Sequence, residues 1–421
     1  MPRLAALAAG AFLAASATGC GTAASVPPGP AQPALPTLPA TLTAAQLATL
    51  RAAGQADASF GLNVLTSRCR QDPRANLAFS PASLASGLGM AYLGARGTTQ
   101  AAMSGVLGLP AGRAALLARL RTRTALLGSL DRPGVTVSIS NRIWADPSLV
   151  TDPPYLAALR AGYQARLAHL PLLTAPGQAR QAINAAVAAD TRGHIPALLP
   201  PGSLDHTGWL LTDALYLNAA WRNPFDPAET MPGRFTTAAG QPVTAHYLNG
   251  SGFAAARDQG WTAVALPYRG GRLAMLALLP PAGPGCPALA TATLTAVSRA
   301  LAAPGAPLTA VSLPKVSMAA STSMDPVLEQ LGMGIAFTSS ADFSGLSRQA
   351  CCIGLVQHAA TLAVAEKGTV ASAATSVGII AGAAPAPRSQ VVFNRPYLLL
   401  VADTVTGEPL LLARVADPAR G

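Results

Sequence analysis

The sequence contains little charge. Only 11% of its 421 residues are charged, and Lys315 and Lys367 are the only lysines, so arginine supplies nearly all the positive side of a formal charge of +11. Such an excess normally suggests nucleic acid or an anionic surface as a partner. The arginines, however, are scattered singly from Arg51 to Arg420, with no basic stripe interleaved with aromatic residues. We therefore expect no binding to nucleic acid.

Short motifs of metal sites and of common hydrolases are absent. No CxxC, HExxH or G-x-S-x-G spacing occurs, and the five histidines are far apart in the chain. The first two spacings place metal ligands, and the third places a nucleophilic serine on a strand-to-helix turn. We therefore predict no metal site and no cofactor, and a protein that is not an enzyme.

Long hydrophobic runs are also absent, including at the N-terminus. One positive charge at Arg3 precedes a short apolar run that ends in small residues before Cys20. The run is too short to span a membrane but suits a secretory signal. Residues 1–20 resemble a bacterial lipoprotein signal peptide with a lipobox, which would be lipidated at Cys20; plain secretion is the alternative, because Ala17 stands where leucine is usual. Both predict an extracellular protein, with membrane contact only through the anchor.

Residues 21–46 are predicted to form a tether rich in proline and alanine. Segments of this composition remain extended because they have little apolar surface to bury. The folded domain is predicted to cover residues 47–418.

Four cysteines remain after Cys20. Three pairings of four cysteines are possible, and an export route would permit their oxidation. Adjacent cysteines rarely bridge to each other. A link of Cys69 to Cys351 or Cys352 is one hypothesis, and the sequence leaves the disulfide state of Cys69, Cys286, Cys351 and Cys352 open.

Helical patterns dominate the first half of the chain and strand patterns the second. Helical periodicity starts at Leu47, and further helices are predicted over 155–169 and 177–191. Apolar runs over 209–221, 273–279, 355–365 and 391–401 predict strands. Without a repeating βαβ order, this indicates an α+β domain with antiparallel or mixed sheets.

Ten short blocks then occur in chain order: NLAFSPAS (76–83), MAYLGARGTT (90–99), NRIW (141–144), TRGHIPALL (191–199), ALYL (214–217), LPY (266–268), LPKV (313–316), ADFSG (341–345), EKGT (366–369) and NRPY (394–397). In these blocks the chain resembles the serpin family of serine protease inhibitors. The resemblance implies a serpin fold of three β-sheets and eight or nine helices, with an exposed reactive loop near the C-terminus at about 366–390.

The resemblance also implies three groups of functional residues. The breach, where the main sheet first opens, would contain Trp221. The shutter, a polar cluster under that sheet, would consist of Ser80, Ser83, Asp213 and His358, although Asp213 replaces the usual asparagine. The hinge of the reactive loop would consist of Glu366, Lys367, Gly368, Thr369, Val370, Ala371, Ser372, Ala373 and Ala374.

A carboxylate at Asp213 next to His358 would favour the imidazolium form of the histidine. Stability or loop insertion would then depend on pH.

The loop has the composition that insertion requires. Residues 368–387 contain no charge, and residues 368–384 contain no proline. A new central strand needs every N–H for its ladders and needs side chains that alternate between two faces. The residues from Thr369 to Ile379 in steps of two are small or apolar and would face inward. A flexible surface linker is the alternative, but EKGT directly before the loop favours a hinge.

Inhibitory serpins usually expose the cleaved bond seventeen residues into the hinge, counted with Glu366 as the first. The resemblance therefore implies cleavage at Gly382-Ala383. The loop is about three residues longer than the commonest ones, so Ile380, Ala381 and Ala383 are alternatives for the residue that enters the protease pocket. Small residues there suit elastase-like or subtilisin-like proteases.

Four arginines cluster on a predicted helix, where some serpins bind sulfated polysaccharide: Arg113, Arg119, Arg121 and Arg123. We expect them instead to form a solvated face. The function we predict is a monomeric suicide inhibitor of serine proteases that forms a covalent acyl complex. The alternative is a non-inhibitory serpin that serves as a binding or carrier module.

Overall fold

The computed structural model describes residues 42–110, 112–283, 285–369 and 389–420. Eight α-helices occur in these ranges: α1 Ala44–Gln71, α2 Pro81–Tyr92, α3 Gly97–Leu107, α4 Arg113–Gly128, α5 Pro153–Tyr163, α6 Pro176–Asp190, α7 Thr291–Ala302 and α8 Asp325–Leu328. The strands are β1 Leu77–Phe79, β2 Val135–Ala145, β3 Arg166–His169, β4 Trp209–Ala220, β5 Met231–Thr236, β6 Pro242–Asp258, β7 Trp261–Pro267, β8 Leu273–Leu279, β9 Leu308–Pro314, β10 Val316–Ser323, β11 Gln357–Ala365, β12 Gly368–Thr369, β13 Gln390–Val392, β14 Tyr397–Asp403 and β15 Pro409–Val415.

One sheet has six strands in the order β10-β11-β12-β4-β2-β3. We call it the main sheet. All its described pairings are antiparallel except that of β2 with β3. The two-residue strand β12 lies between β11 and β4, which are much longer.

The other strands form a nine-stranded arrangement that shares the long strand β6. The end of β6 from Ala255 to Asp258 pairs with β7 and so joins the group β1-β15-β14-β8-β7. Its earlier part pairs with β5 and β9, with a bulge between Gly250 and Phe253. The two groups share β6 and, together with the main sheet, give three sheets among the described strands, as the resemblance implies.

The core lies on both faces of the main sheet. Leu215, Leu217 and Val137 face the nine-stranded group, where they join Val264 and Met275 in one apolar cluster. On the other face, α6 covers the sheet with a smaller cluster. Helix α2 is buried along most of its length.

Several boundaries differ from the predictions. Helix α1 starts at Ala44, inside the predicted tether, because Thr43 and Gln46 form a reciprocal capping box. The helix predicted over 155–169 ends at Tyr163, after which Arg166–His169 pairs with β2 as a strand. The strand predicted over 391–401 is two strands, separated at 393–396. No helix in the described ranges is long and apolar enough to cross a membrane.

The hypothesis that Cys69 pairs with Cys351 or Cys352 is wrong. Cys69, at the end of α1, is bonded to Cys286 in the segment that follows β8. The two Cα atoms are 5.9 Å apart, within the usual range for a disulfide. Cys351 and Cys352 are free and exposed. Sequence separation cannot show this pairing, because 217 residues separate two positions that the fold makes adjacent.

Two of the four clustered arginines are buried, so the prediction of a solvated face is wrong for them. The Nε atom of Arg123 lies 2.8 Å from Asp57 of α1 and 2.9 Å from Glu408, which precedes β15. Arg119 donates to the carbonyl of Gly108. These side chains join α4 to the helix and strand packed against it. Only Arg113 and Arg121 remain exposed on α4 for a polysaccharide.

Candidate functional site

The predicted hinge begins inside the main sheet. Strand β12 is antiparallel to both of its neighbours: Thr369 pairs with Val364 of β11 and with Ala219 of β4. The side chain of Thr369 is completely buried. Thr369 was expected to face inward in the inserted strand, and the first two residues of that strand, Gly368 and Thr369, already lie between β4 and β11.

Gly368 is required by this close fit. Its φ of 156° is unfavourable for residues with a side chain, and a Cβ atom there would collide with the carbonyl oxygen of Ala219. Glycine therefore lets the hinge strand lie directly against β4.

The turn between β11 and β12 is held by the segment that follows β4. The backbone N–H of Trp221 donates to the carbonyl of Lys367 at 3.0 Å, and that of Phe225 donates to Glu366 at 2.9 Å. The indole Nε1 of Trp221 donates to the carbonyl of Ala365 at 2.9 Å. Three consecutive carbonyls at the turn thus receive a hydrogen bond from this one segment.

A second contact holds the inserted side chain. The ring of Tyr268 stacks on the ring of Trp221, with centroids 4.5 Å apart and planes 9° apart. Its hydroxyl forms a hydrogen bond with the hydroxyl of Thr369. Burial raises the pKa of Tyr268 well above that of an ordinary tyrosine, so the phenol stays protonated. The buried threonine hydroxyl therefore has a partner.

An ion pair lies beside the turn. Lys315 Nζ is 2.7 Å from Glu366 Oε1, and the hydroxyl of Thr230 donates to the same oxygen at 3.0 Å. Partial burial acts to raise the pKa of Glu366, but these donors lower it below its usual value. The carboxylate is therefore charged at neutral pH and links the hinge to the segments on either side of it.

The predicted shutter residues lie further along the same sheet, under β11. Ser80 caps α2 by accepting from the N–H of Ser83 at 3.0 Å, and the N–H of Ser80 donates to Nε2 of His358 at 3.0 Å. Ser80, Ser83 and His358 are all buried. The structure thus brings these three together, while the side chain of Asp213 lies outside the described part of the molecule.

His358 is held in the neutral form. Its Nε2 accepts a hydrogen bond, which a protonated nitrogen cannot do. Burial lowers its pKa from 6.5 to about 4. The expected imidazolium is therefore wrong, because desolvation opposes the charge.

A cavity of about 520 Å³ lies where the gap between β4 and β11 reaches its far end. Apolar side chains of α2 and of the start of β4 line it, including Leu88, Trp209 and Leu211, and His358 borders it.

Several predicted residues lie outside the described ranges. These are Cys20, the hinge residues from Val370 to Ala374, and the cleavage position Gly382-Ala383. Among the described residues, no group of three or more acidic, histidine or cysteine side chains could hold a metal ion.

Comparison with known proteins identifies the family. The family model described as serpin (serine protease inhibitor) matches residues 55–418. The chain belongs to the serpin family. Its relatives include the leukocyte elastase inhibitor of Bos taurus, 29% identical over 86% of this chain and 98% of that protein. Serine protease inhibitor 42Dd of Drosophila melanogaster is 31% identical over 72% of this chain and 82% of that protein.

Solved serpin structures share the fold. The native state of the thermophilic serpin tengpin matches with a TM-score of 0.77 at 24% identity, over 91% of this chain and 97% of that one. A loop-inserted structure of a cleaved ovalbumin mutant matches with a TM-score of 0.75 at 23% identity, over 88% of this serpin and 99% of that chain. Thyroxine-binding globulin in complex with thyroxine matches with a TM-score of 0.73 at 23% identity, over 87% and 99%.

Sequence reasoning about this serpin missed Tyr268, Phe225 and Lys315 as parts of the site. Tyr268 and Lys315 stand in the blocks LPY and LPKV, which carried the resemblance but not a role. Their contacts with the hinge join positions that are 51 to 101 residues apart in the chain. The one signal in the sequence was the scarcity of lysine. Lys315 is one of only two lysines and stands in a family block, as does its partner Glu366.

The buried His358 predicts a pH-dependent stability. Its folded pKa of about 4 lies below the ordinary 6.5, so between these values the unfolded chain binds a proton that the folded chain does not. The neutral His358 therefore contributes fully to the free energy of unfolding above about pH 6.5. This contribution, up to about 3 kcal/mol, is lost as the pH falls towards 4. Denaturant unfolding across this range measures the slope.

Two variants separate His358 from other titrating groups. His358→Gln can still accept from Ser80 but cannot be protonated, so the slope should become shallower. His246→Gln removes an exposed histidine and should leave the slope unchanged. An equal slope in His358→Gln and the natural protein would assign the pH dependence to another residue.

Proposed function

We propose that this serpin inhibits serine proteases as a suicide substrate. The protease cleaves the reactive loop and forms an acyl-enzyme, and the loop then inserts into the main sheet before the ester is hydrolysed. The serine protease is the partner, bound covalently to a monomeric inhibitor, and this serpin performs no turnover of its own. The position of Thr369 between β4 and β11 is the observation that carries the proposal.

Strand β12 gives insertion a register to follow. Thr369 pairs with Ala219 in antiparallel register, so Ile379, ten residues later in the loop, would lie opposite Trp209, ten residues earlier in β4. Ten more residues in the ladder, at about 1 kcal/mol for each net hydrogen bond, would contribute on the order of 10 kcal/mol. This is enough to drive a large rearrangement of the captured protease.

The alternating side chains suit the space they would enter. Thr369 faces inward, so Val377 and Ile379 would face the same way in an extended strand. That end of the gap contains the apolar cavity of about 520 Å³ next to Trp209. Burial of two branched apolar side chains there would add about 3 to 5 kcal/mol.

A non-inhibitory role as a binding or carrier module is the second candidate. Thyroxine-binding globulin, which shares the fold, has been solved in complex with thyroxine. The hinge favours inhibition instead, because proline, charge or bulk would obstruct insertion and residues 368–384 contain no proline or charge.

We also propose that the domain is exported and tethered through a lipid on Cys20. The apolar run before Cys20 and the uncharged segment after it support this assignment. Cys20→Ser should move the protein from the membrane fraction to the medium or the soluble fraction. Unchanged membrane association would refute lipidation.

A gel assay tests inhibition. The purified domain is mixed with an elastase-like, a subtilisin-like and a trypsin-like protease and boiled in detergent. We expect a stable covalent complex with the first two, because residues 380–384 are small or aliphatic. Mass spectrometry of the released peptide should place cleavage at Gly382-Ala383, or within 380–384. Stable complexes formed by cleavage after Arg388 would overturn this assignment, and no complex with any protease would favour the carrier role.

Thr369→Arg tests insertion. Arginine at this position would bury an unpaired charge at a cost of several kcal/mol, so the hinge should be expelled from the sheet and insertion should slow. The acyl-enzyme would then be hydrolysed, which yields cleaved inhibitor and active protease.

Thr369→Ser is the matched control, since serine retains the hydroxyl that contacts Tyr268. It should form as much detergent-stable complex as the natural protein. If Thr369→Arg also traps protease at an undiminished rate and yield, loop insertion is not the mechanism.

A further inference from the structure

Two neighbouring thiols converge at the surface between α8 and β11. Side chains of adjacent residues in an extended segment point to opposite sides. At Cys351 and Cys352, however, both side chains are exposed and their Sγ atoms are only 2.8 Å apart. Within the described ranges no third cysteine is available to either thiol, because Cys69 and Cys286 are bonded to each other.

Hydrogen bonds fix the chain on both sides of the pair. The N–H of Ala350 donates to the carbonyl of Ser347 at 3.1 Å, and the N–H of Ile353 donates to that of Ala336 at 2.8 Å. Ala350 and Ile353 also pack against the core. The two thiols are therefore held in proximity by their neighbours.

The pair suits a reversible bond better than a permanent one. A disulfide has sulfurs about 2.05 Å apart, so Cys351 and Cys352 would need to approach by only about 0.8 Å. Adjacent Cα atoms are about 3.8 Å apart, however, below the usual range for disulfides. A bond between them would be strained, and strained exposed disulfides are readily reduced.

We propose that Cys351 and Cys352 form a dithiol site that undergoes thiol–disulfide exchange with small disulfides such as oxidised glutathione. The thiolate of Cys351 attacks one sulfur of the small disulfide, which forms a mixed disulfide and releases one small thiolate. The thiolate of Cys352 then attacks the Cys351 sulfur and releases the second. The protein loses two protons and two electrons, and the small disulfide is reduced to two thiols.

The environment assigns this order of attack. Partial desolvation of the Cys352 sulfur, together with its contact with Cys351, raises the pKa of Cys352 to about 11. Little Cys352 thiolate exists at neutral pH, so it is a poor first nucleophile. Once attached to the mixed disulfide, Cys351 presents a sulfur within reach of Cys352, and proximity favours the second step.

The site borders the cavity at the far end of the gap, where both cysteines contribute to the lining. Cys352 lies five positions before Gln357, the first residue of β11. Exchange would thus change the covalent state of the segment that leads into one of the two strands beside the hinge.

The test uses the full chain with Cys69–Cys286 intact and the pair reduced, and the natural sequence and every variant carry Cys20→Ser so that Cys20 cannot react. After incubation with oxidised glutathione, intact mass and maleimide labelling are followed over time. The natural protein should lose both reactive thiols and two hydrogens in mass, with no lasting adduct. Cys352→Ser should accumulate one stable glutathione adduct, because the resolving thiol is absent. Cys351→Ser should react several-fold more slowly than Cys352→Ser.

The double variant Cys351→Ser/Cys352→Ser is the control and should not react, which shows that Cys69–Cys286 stays closed. Four results would overturn the proposal: two thiols that remain free in the natural protein, a lasting adduct on it, a disulfide-linked dimer, or Cys351→Ser reacting as fast as Cys352→Ser. Each is read directly from mass and does not depend on inhibitory activity.

Discussion

The hydrogen bonds from Trp221 and Phe225 to the turn at 365–367 are the contacts on which the rest of the site depends. A two-residue strand cannot hold itself between two long strands by its own ladder bonds. Here the carbonyls of its turn are bound from outside the sheet, so β12 is aligned before any further residue pairs. The stacked Tyr268 then reaches Thr369 because Trp221 is already fixed. Trp221 and the segment that follows it therefore fix the place where the hinge strand enters the main sheet.

Burial explains why the polar groups along this sheet occur in pairs. A buried polar group without a partner costs about 1 to 3 kcal/mol, so the hydroxyl of Thr369 is matched by Tyr268 and the backbone N–H of Ser80 by His358. The same low polarity keeps His358 neutral and Tyr268 protonated. Beside the hinge, the charged pair of Lys315 and Glu366 keeps partial contact with solvent. A strand entering between β4 and β11 would thus pass the neutral side chains of Tyr268 and His358, and an uncharged loop is suited to that environment.

Much of the fold could be predicted from sequence because its elements follow local patterns. The apolar run over 209–221 forms the strand β4, and Ser80-Pro81 starts a helix as capping chemistry requires. The hinge was located by EKGT, whose glycine lies against Ala219. The burial of Thr369 in the starting state could not be predicted, since it depends on Tyr268 and Trp221 from distant segments.

Other predictions failed for related reasons. Arg119 and Arg123 looked like surface residues because arginine usually is, but their acidic partners come from α1 and from the start of β15. The partner of Cys69 likewise depends on the meeting of α1 with a distant loop. Likewise, the spacing of the cysteines alone could not show that Cys351 and Cys352 are free. In each case the deciding contact joins elements far apart in the chain, which no local pattern contains.

The most direct measurement of the central claim is the stability of the main sheet before and after the loop is cut. The domain is treated with a small amount of a non-target protease that cleaves within 380–388, and thermal unfolding of the nicked and intact proteins is compared. If β12 marks the start of an insertable strand, cleavage frees the loop to fill the gap between β4 and β11, and the melting temperature should rise by tens of degrees. An unchanged or lower melting temperature after cleavage would contradict the account.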